Sequence, residues 1–161
     1  MTEGRVKNLL RRTSFIVEDV EKTAGFYQDI FDWTRFYDTE TPVDMHFPPC
    51  APDQTTGKII ILKVDDPFIG MIGFMEYDGF MPESRVDPSR KTLGIGDAIL
   101  IVESKDIQET YQKAQDSGAN LVTPPVEWSV KGQPGQDVIR LSTFSFFDLN
   151  GIYVEVNRRL N

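Results

Sequence analysis

One pattern occurs twice along this chain, and a duplicated pattern leaves few folds open. In the first copy, Thr13 to Glu18 is a short run rich in β-branched and aromatic residues, and Asp19 follows it as a helix N-cap. The helix that begins there carries Val20, Ala24, Tyr27, Ile30 and Phe31 on one face. Three strand-like runs come next, "WTRFYDTE", "KIIILKV" and "GMIGFMEY". They are separated by the loop "TPVDMHFPPCAPDQTTG" and the turn "DDPFI".

Residues 79–95, "GFMPESRVDPSRKTLGI", have neither helical nor strand periodicity and read as a connector. Then "AILIVESKDIQETYQKAQDSGANLVTPP" repeats strand, acidic turn, helix and strand, with Gly118 placed to close the helix. A Gly/Pro turn at "GQPG", a strand near Val138 to Phe146, a turn at "DLNG" and a closing strand complete it. The expected fold is α+β, built from two βαβββ modules over residues 10–78 and 96–158.

Charge and cysteine content narrow the function classes. The formal net charge is −8, and no basic cluster exceeds Arg11-Arg12 or Arg158-Arg159, so a phosphate backbone meets mostly repulsion. Nucleic acid is not expected as a partner. Cys50 is the single cysteine, which excludes an internal disulfide and multi-cysteine zinc patterns and fits a reducing compartment. No apolar stretch approaches the roughly 18 residues of a membrane span, and "MTEGRVKNLLRRT" lacks the apolar core of a signal peptide. A cytoplasmic protein without a membrane partner is expected.

Together, "VEDVEKTAGFYQDIF" and the ending "FFDLNGIYVEV" resemble the vicinal oxygen chelate superfamily, the glyoxalase, bleomycin resistance protein and extradiol dioxygenase group. The resemblance runs over residues 10–158 and implies curved mixed sheets around a cavity. It also implies four metal-ligand positions, with His or Gln at the start of the first strand of each module and Glu late in each last strand. The spacing to Asp19 then puts Arg12 at the first start, and the spacing to Asp106 puts Ile99, or Ala98 beside it, at the second. The two ends match Glu76 and Glu155.

Arginine stays protonated and has no lone pair, and isoleucine has no donor atom, so the usual metal set is lost. No metal site is expected, hence no cofactor, or at most a divalent ion held by Glu76 and Glu155 with waters. The candidate catalytic residues are Glu155, Glu76 and Arg12. Ligand contacts are expected from Arg12, Ser14, Phe74, Glu76, Ile99, Tyr153, Glu155 and His46, the only histidine. Trp33, Phe36, Phe47, Trp128, Phe144 and Phe146 are further candidates for lining a cavity.

Three functions compete at this stage. One is a protein that binds a small aromatic or anionic metabolite without metal. The second is a glyoxalase-like lyase or isomerase, or a dioxygenase, with a divalent ion at Glu76 and Glu155. The third is a metal-free enzyme in which Arg12 stabilises an oxyanion while a glutamate moves a proton. The resemblance further implies a homodimer.

Overall fold

The computed structural model describes residues 9–42, 46, 48–66 and 69–161. The chain divides into two compact units with the boundary between Glu83 and Ser84, the last helical residues Asp29–Phe31 being grouped with the second unit. The fold is α+β, with two four-stranded mixed sheets and two helices.

The first sheet has the order β1-β4-β3-β2. Its strands are β1 (Arg12–Ile16), β2 (Thr34–Pro42), β3 (Thr56–Lys63) and β4 (Met71–Tyr77). β1 runs parallel to β4, and the other neighbours are antiparallel. A parallel pair needs a long crossover, and the helix α1 (Val20–Phe31) lies in the chain between β1 and β2. Asp19 caps α1 as expected, its carboxylate accepting from the Lys22 amide at 2.8 Å. Val20, Ala24, Tyr27 and Ile30 are fully buried, which makes one stripe of the helix its packing face. Asp32 ends α1 in the left-handed region at φ 58°, with its N–H returned to Gln28 O.

The second unit repeats this topology, with sheet order β5-β8-β7-β6. Its strands are β5 (Ile99–Glu103), β6 (Asn120–Val130), β7 (Ile139–Phe147) and β8 (Tyr153–Arg159), and its helix is α2 (Ile107–Asp116). Asp106 caps α2 through the Gln108 and Glu109 amides. Gly118, at φ +79°, takes the left-handed position that turns the chain out of α2.

One expectation is corrected in this unit. The run after Asn120 was expected to end at Pro124-Pro125, yet β6 continues through both prolines to Val130. β6 is an edge strand, so the missing proline donors cost little, and the register shifts between Thr123 and Val126 absorb the misfit.

Alternation assigns the sheet faces. In the first unit Phe74 is fully buried against Tyr27 of α1, with ring centroids 5.1 Å apart, so Phe15, Ile60 and Phe74 form the helix side. In the second, Phe144 meets Tyr111 of α2 edge to face at 5.3 Å, so Phe144, Phe146, Val154 and Val156 form the helix side. Burying such a side chain completely stabilises the fold by about 1.5–3 kcal/mol. In each sheet the residues one step away occupy the opposite face, and Arg12, Ser14 and Glu155 are found there.

Candidate ligand sites on the sheet faces

Arg12, Ser14 and Ile16 point away from α1, and their register partners on β4 are Met71, Gly73 and Met75. Ile59 and Ile61 of β3, with Tyr37 of β2, continue the same face. Arg11 and Arg12, with Leu9, Leu10, Phe36, Tyr37, Ile59 and Ile61, line a cavity of about 620 Å³ in the first unit. Among the described residues no carboxylate pairs with the Arg12 guanidinium. A free, fixed cation over an apolar floor is therefore the main chemical feature of this cavity.

Gly73 leaves room beneath the Arg12 stem. A Cβ added at Gly73 would sit 2.6 Å from Ser14 Oγ and 3.3 Å from Arg12 Cδ. The arginine stem covers the space that a side chain at position 73 would need. By register Arg12 is opposite Met71 as Ile99 is opposite Tyr153, so Gly73, two residues on from Met71, is the counterpart of Glu155.

Glu76 had been matched to Glu155, and its orientation is different. It lies on the helix side, where its Oε2 accepts from the Val20 amide at 2.8 Å, at the N-terminus of α1. Residues two apart share a face and residues three apart do not, so Gly73 and Glu76 point in opposite directions. Arg12 and Glu76, both candidate site residues, therefore lie on opposite faces of the sheet and cannot pair, and Glu76 meets the positive end of a helix. Phe74 is corrected on the same grounds: it is core beneath α1, as are Phe144 and Phe146 under α2.

The second unit holds a hydrogen-bonded relay across three strands. Trp128 Nε1 of β6 donates to Thr143 Oγ1 of β7 at 2.7 Å, and Thr143 Oγ1 bonds Asn157 Oδ1 of β8. Asn157 Nδ2 then donates to Glu155 Oε1 at 3.0 Å. Indole can only donate, so the threonine proton must go to the asparagine oxygen, and the amide must present its NH₂ group to Glu155. Ser145, the register partner of Glu155, is 2% exposed, and its hydroxyl has no hydrogen-bond partner among the described residues. Ile99 and Ile101, on the same face of β5, are exposed, and Tyr153 packs edge to face on Phe147 at 5.2 Å. Asn157, Thr143 and Ser145 escaped the sequence reading, which has Trp128 only as an aromatic lining candidate, although "TFS" and "YVEVN" at alternating positions carried the signal.

The remaining candidates lie elsewhere. His46 is exposed in the segment between β2 and β3 and does not line the cavity, and Phe47 lies outside the described residues. Cys50 packs with Ala51, Met75, Tyr77 and Phe80. Burial, with Cys50 beside it, pushes the Tyr77 hydroxyl up to about 12.

This donor set does not suit a transition-metal ion. Arg12 and Ile99 bring no lone pair, Gly73 brings no side chain, and Glu76 is held on the opposite face of its sheet. Among the described residues no group of three or more His, Cys, Asp or Glu side chains is arranged to hold a metal. Among the described residues no helix is long and apolar enough to cross a membrane.

Comparison with known proteins gives the fold its lineage. A glyoxalase family protein from Bacillus cereus superposes with a TM-score of 0.71 at 15% identity, over 100% of this chain and 99% of that one. A glyoxalase I mutant from Zea mays gives 0.63 at 16% identity, over 92% of this chain and 46% of that one. The fosfomycin resistance protein FosX from Listeria monocytogenes, complexed with Mn(II) and 1S,2S-dihydroxypropylphosphonic acid, gives 0.52 at 18%, over 94% and 92%. No curated protein matches by sequence. A profile described as the Glyoxalase/Bleomycin resistance protein/Dioxygenase superfamily matches residues 9–156. The chain belongs to the glyoxalase/bleomycin resistance protein/dioxygenase superfamily.

Proposed function

We propose that this protein binds a small organic acid with an apolar or aromatic body, and that it does so without a metal ion. The observation that carries the reading is the Arg12 guanidinium, without a described carboxylate partner, at a cavity whose other walls are largely Leu9, Leu10, Phe36, Tyr37, Ile59 and Ile61. A carboxylate gains two parallel hydrogen bonds from such a fork, while the aliphatic and aromatic walls accept a flat body. Arg11 at the same cavity adds positive potential. The competing reading, a lyase, isomerase or dioxygenase with a divalent ion shared by Glu76 and Glu155, has no support from the geometry of Glu76.

A thermal-shift screen of aromatic and 2-oxo acids, phenylpyruvate among them, tests the proposal. Stabilisation by acids but not by the matching alcohols is the expected result. Losing a charge-assisted pair costs about 1.5–3 kcal/mol, so Arg12→Gln weakens binding roughly 10- to 100-fold. Equal affinity in the variant overturns the reading. A cytoplasmic homodimer completes the proposal, supported by the single cysteine and by the exposed Ile99 and Ile101 on β5. Sedimentation as a monomer contradicts the dimer.

A further inference from the structure

The second unit carries polar machinery that the Arg12 cavity does not use. The relay from Trp128 through Thr143 and Asn157 has one polarity, fixed by its indole donor, and it ends on Glu155 Oε1. Glu155 is half-buried, and no described group is bonded to its Oε2. Directly across the strand pair, the buried Ser145 hydroxyl has no described partner. A buried polar atom left unpaired costs about 1–3 kcal/mol, so such atoms ordinarily persist where something else satisfies them. Two acceptor oxygens thus face the same row of the sheet, and one belongs to a carboxylate whose orientation the relay fixes.

We propose that this face of the second unit is a recognition site for an organic ammonium group, with Glu155 as counter-ion and Ser145 as a second acceptor. An ammonium offers three donors and no acceptor, which complements a relay that terminates in acceptors. The indole of Trp128, 43% exposed, is pinned through its Nε1 to Thr143, which lies one strand across and two residues along from Glu155, about 8 Å by strand spacing and rise. An aryl-alkyl amine has the length to place its nitrogen at Glu155 and its ring towards the indole. The net charge of −8 favours approach of a cation. Asn157 and Thr143 are positioning residues, acting on the ligand only through Glu155.

Calorimetric titration of the full chain with phenethylammonium, with phenylacetate and MnCl₂ in parallel, tests the site. The expected result is amine binding that falls at least tenfold in Glu155→Gln and several-fold in Ser145→Ala. Thr143→Val is expected to weaken the amine several-fold while leaving binding of phenylpyruvate at the Arg12 cavity unchanged, a split that a general loss of structure cannot produce. Failure of this site leaves the Arg12 reading intact, since the two use different sheets and different probes. Amine binding that is unchanged in Glu155→Gln overturns the proposal, as does the absence of amine binding to the wild type. Mn²⁺ binding that depends on Glu155 in a protein that ignores the amine assigns the face to a metal and overturns it equally.

Discussion

Arg12 lies over Gly73: a Cβ at that glycine would come within 3.3 Å of Arg12 Cδ and 2.6 Å of Ser14 Oγ. The absent side chain makes room for both, because a Cβ at position 73 would collide with Ser14 Oγ and crowd the Arg12 stem. Module two has Glu155 at the corresponding register position, across from Ile101. The two halves of a duplicated fold have thus diverged, one towards a cationic floor and the other towards an anionic relay.

Gly73→Ala forces Ser14 and the Arg12 stem to shift in a sheet buried at that point. The expected cost is about 1–3 kcal/mol, read from the urea midpoint, with weaker binding of phenylpyruvate. A variant as stable as wild type contradicts the packing described for Arg12.

Glu76→Ala removes the acceptor from the Val20 amide and a negative charge from the start of α1. A loss of about 0.5–2 kcal/mol is expected, with ligand affinity unchanged. Loss of binding in a folded Glu76→Ala protein contradicts its placement on the helix side.

Gly151 holds φ +77°, and a Cβ there would meet Val86 Cγ1 at 2.8 Å and Asp87 O at 3.1 Å. Its carbonyl accepts two bonds from Arg90, whose guanidinium also pairs with Asp97 at 2.7 Å and lies 4.9 Å from the centre of the Phe147 ring. Strain and overpacking together make Gly151→Ala destabilising by about 1–3 kcal/mol. Faster proteolysis within residues 84–97 checks that the segment has been released from the second unit.

Two pH windows follow from the shifted groups. Hydrogen bonds from Arg35 first, and from Lys58, lower Glu21 and Asp38 from 4.5 and 3.8, and the backbone N–H of Gly94, followed by Arg90, lowers Asp97. A carboxylate lowered in the folded state adds stability above its unfolded value, and this is lost as pH falls through the folded one. Stability therefore declines below about pH 4.5, and less steeply in Arg35→Gln. Tyr77 is raised to about 12 by burial and by Cys50, so its contribution is present below 10 and lost as pH climbs towards 12. Absorbance at 295 nm should show one of the five tyrosines ionising late, and Tyr77→Phe should remove that phase.

The repeat, the N-cap of α1 and the close of α2 could be anticipated from local signals such as Asp19 and Gly118, and the mixed sheets from the family resemblance. What a side chain faces was harder to read. Matching Glu76 to Glu155 by distance from the strand end put it on the wrong face, because an odd error in a period of two inverts every assignment. β6 was cut short because Pro124-Pro125 reads as a break unless the strand is known to be an edge. The relay escaped because Trp128, Thr143 and Asn157 come together only through strand pairing, at sequence separations that local patterns do not encode.

Calorimetric titration of phenylpyruvate into chelator-treated wild-type and Arg12→Gln protein tests the central claim most directly. The account predicts binding that survives chelation and falls at least tenfold with loss of the guanidinium. Binding that is abolished by chelation, or is unchanged in Arg12→Gln, contradicts it.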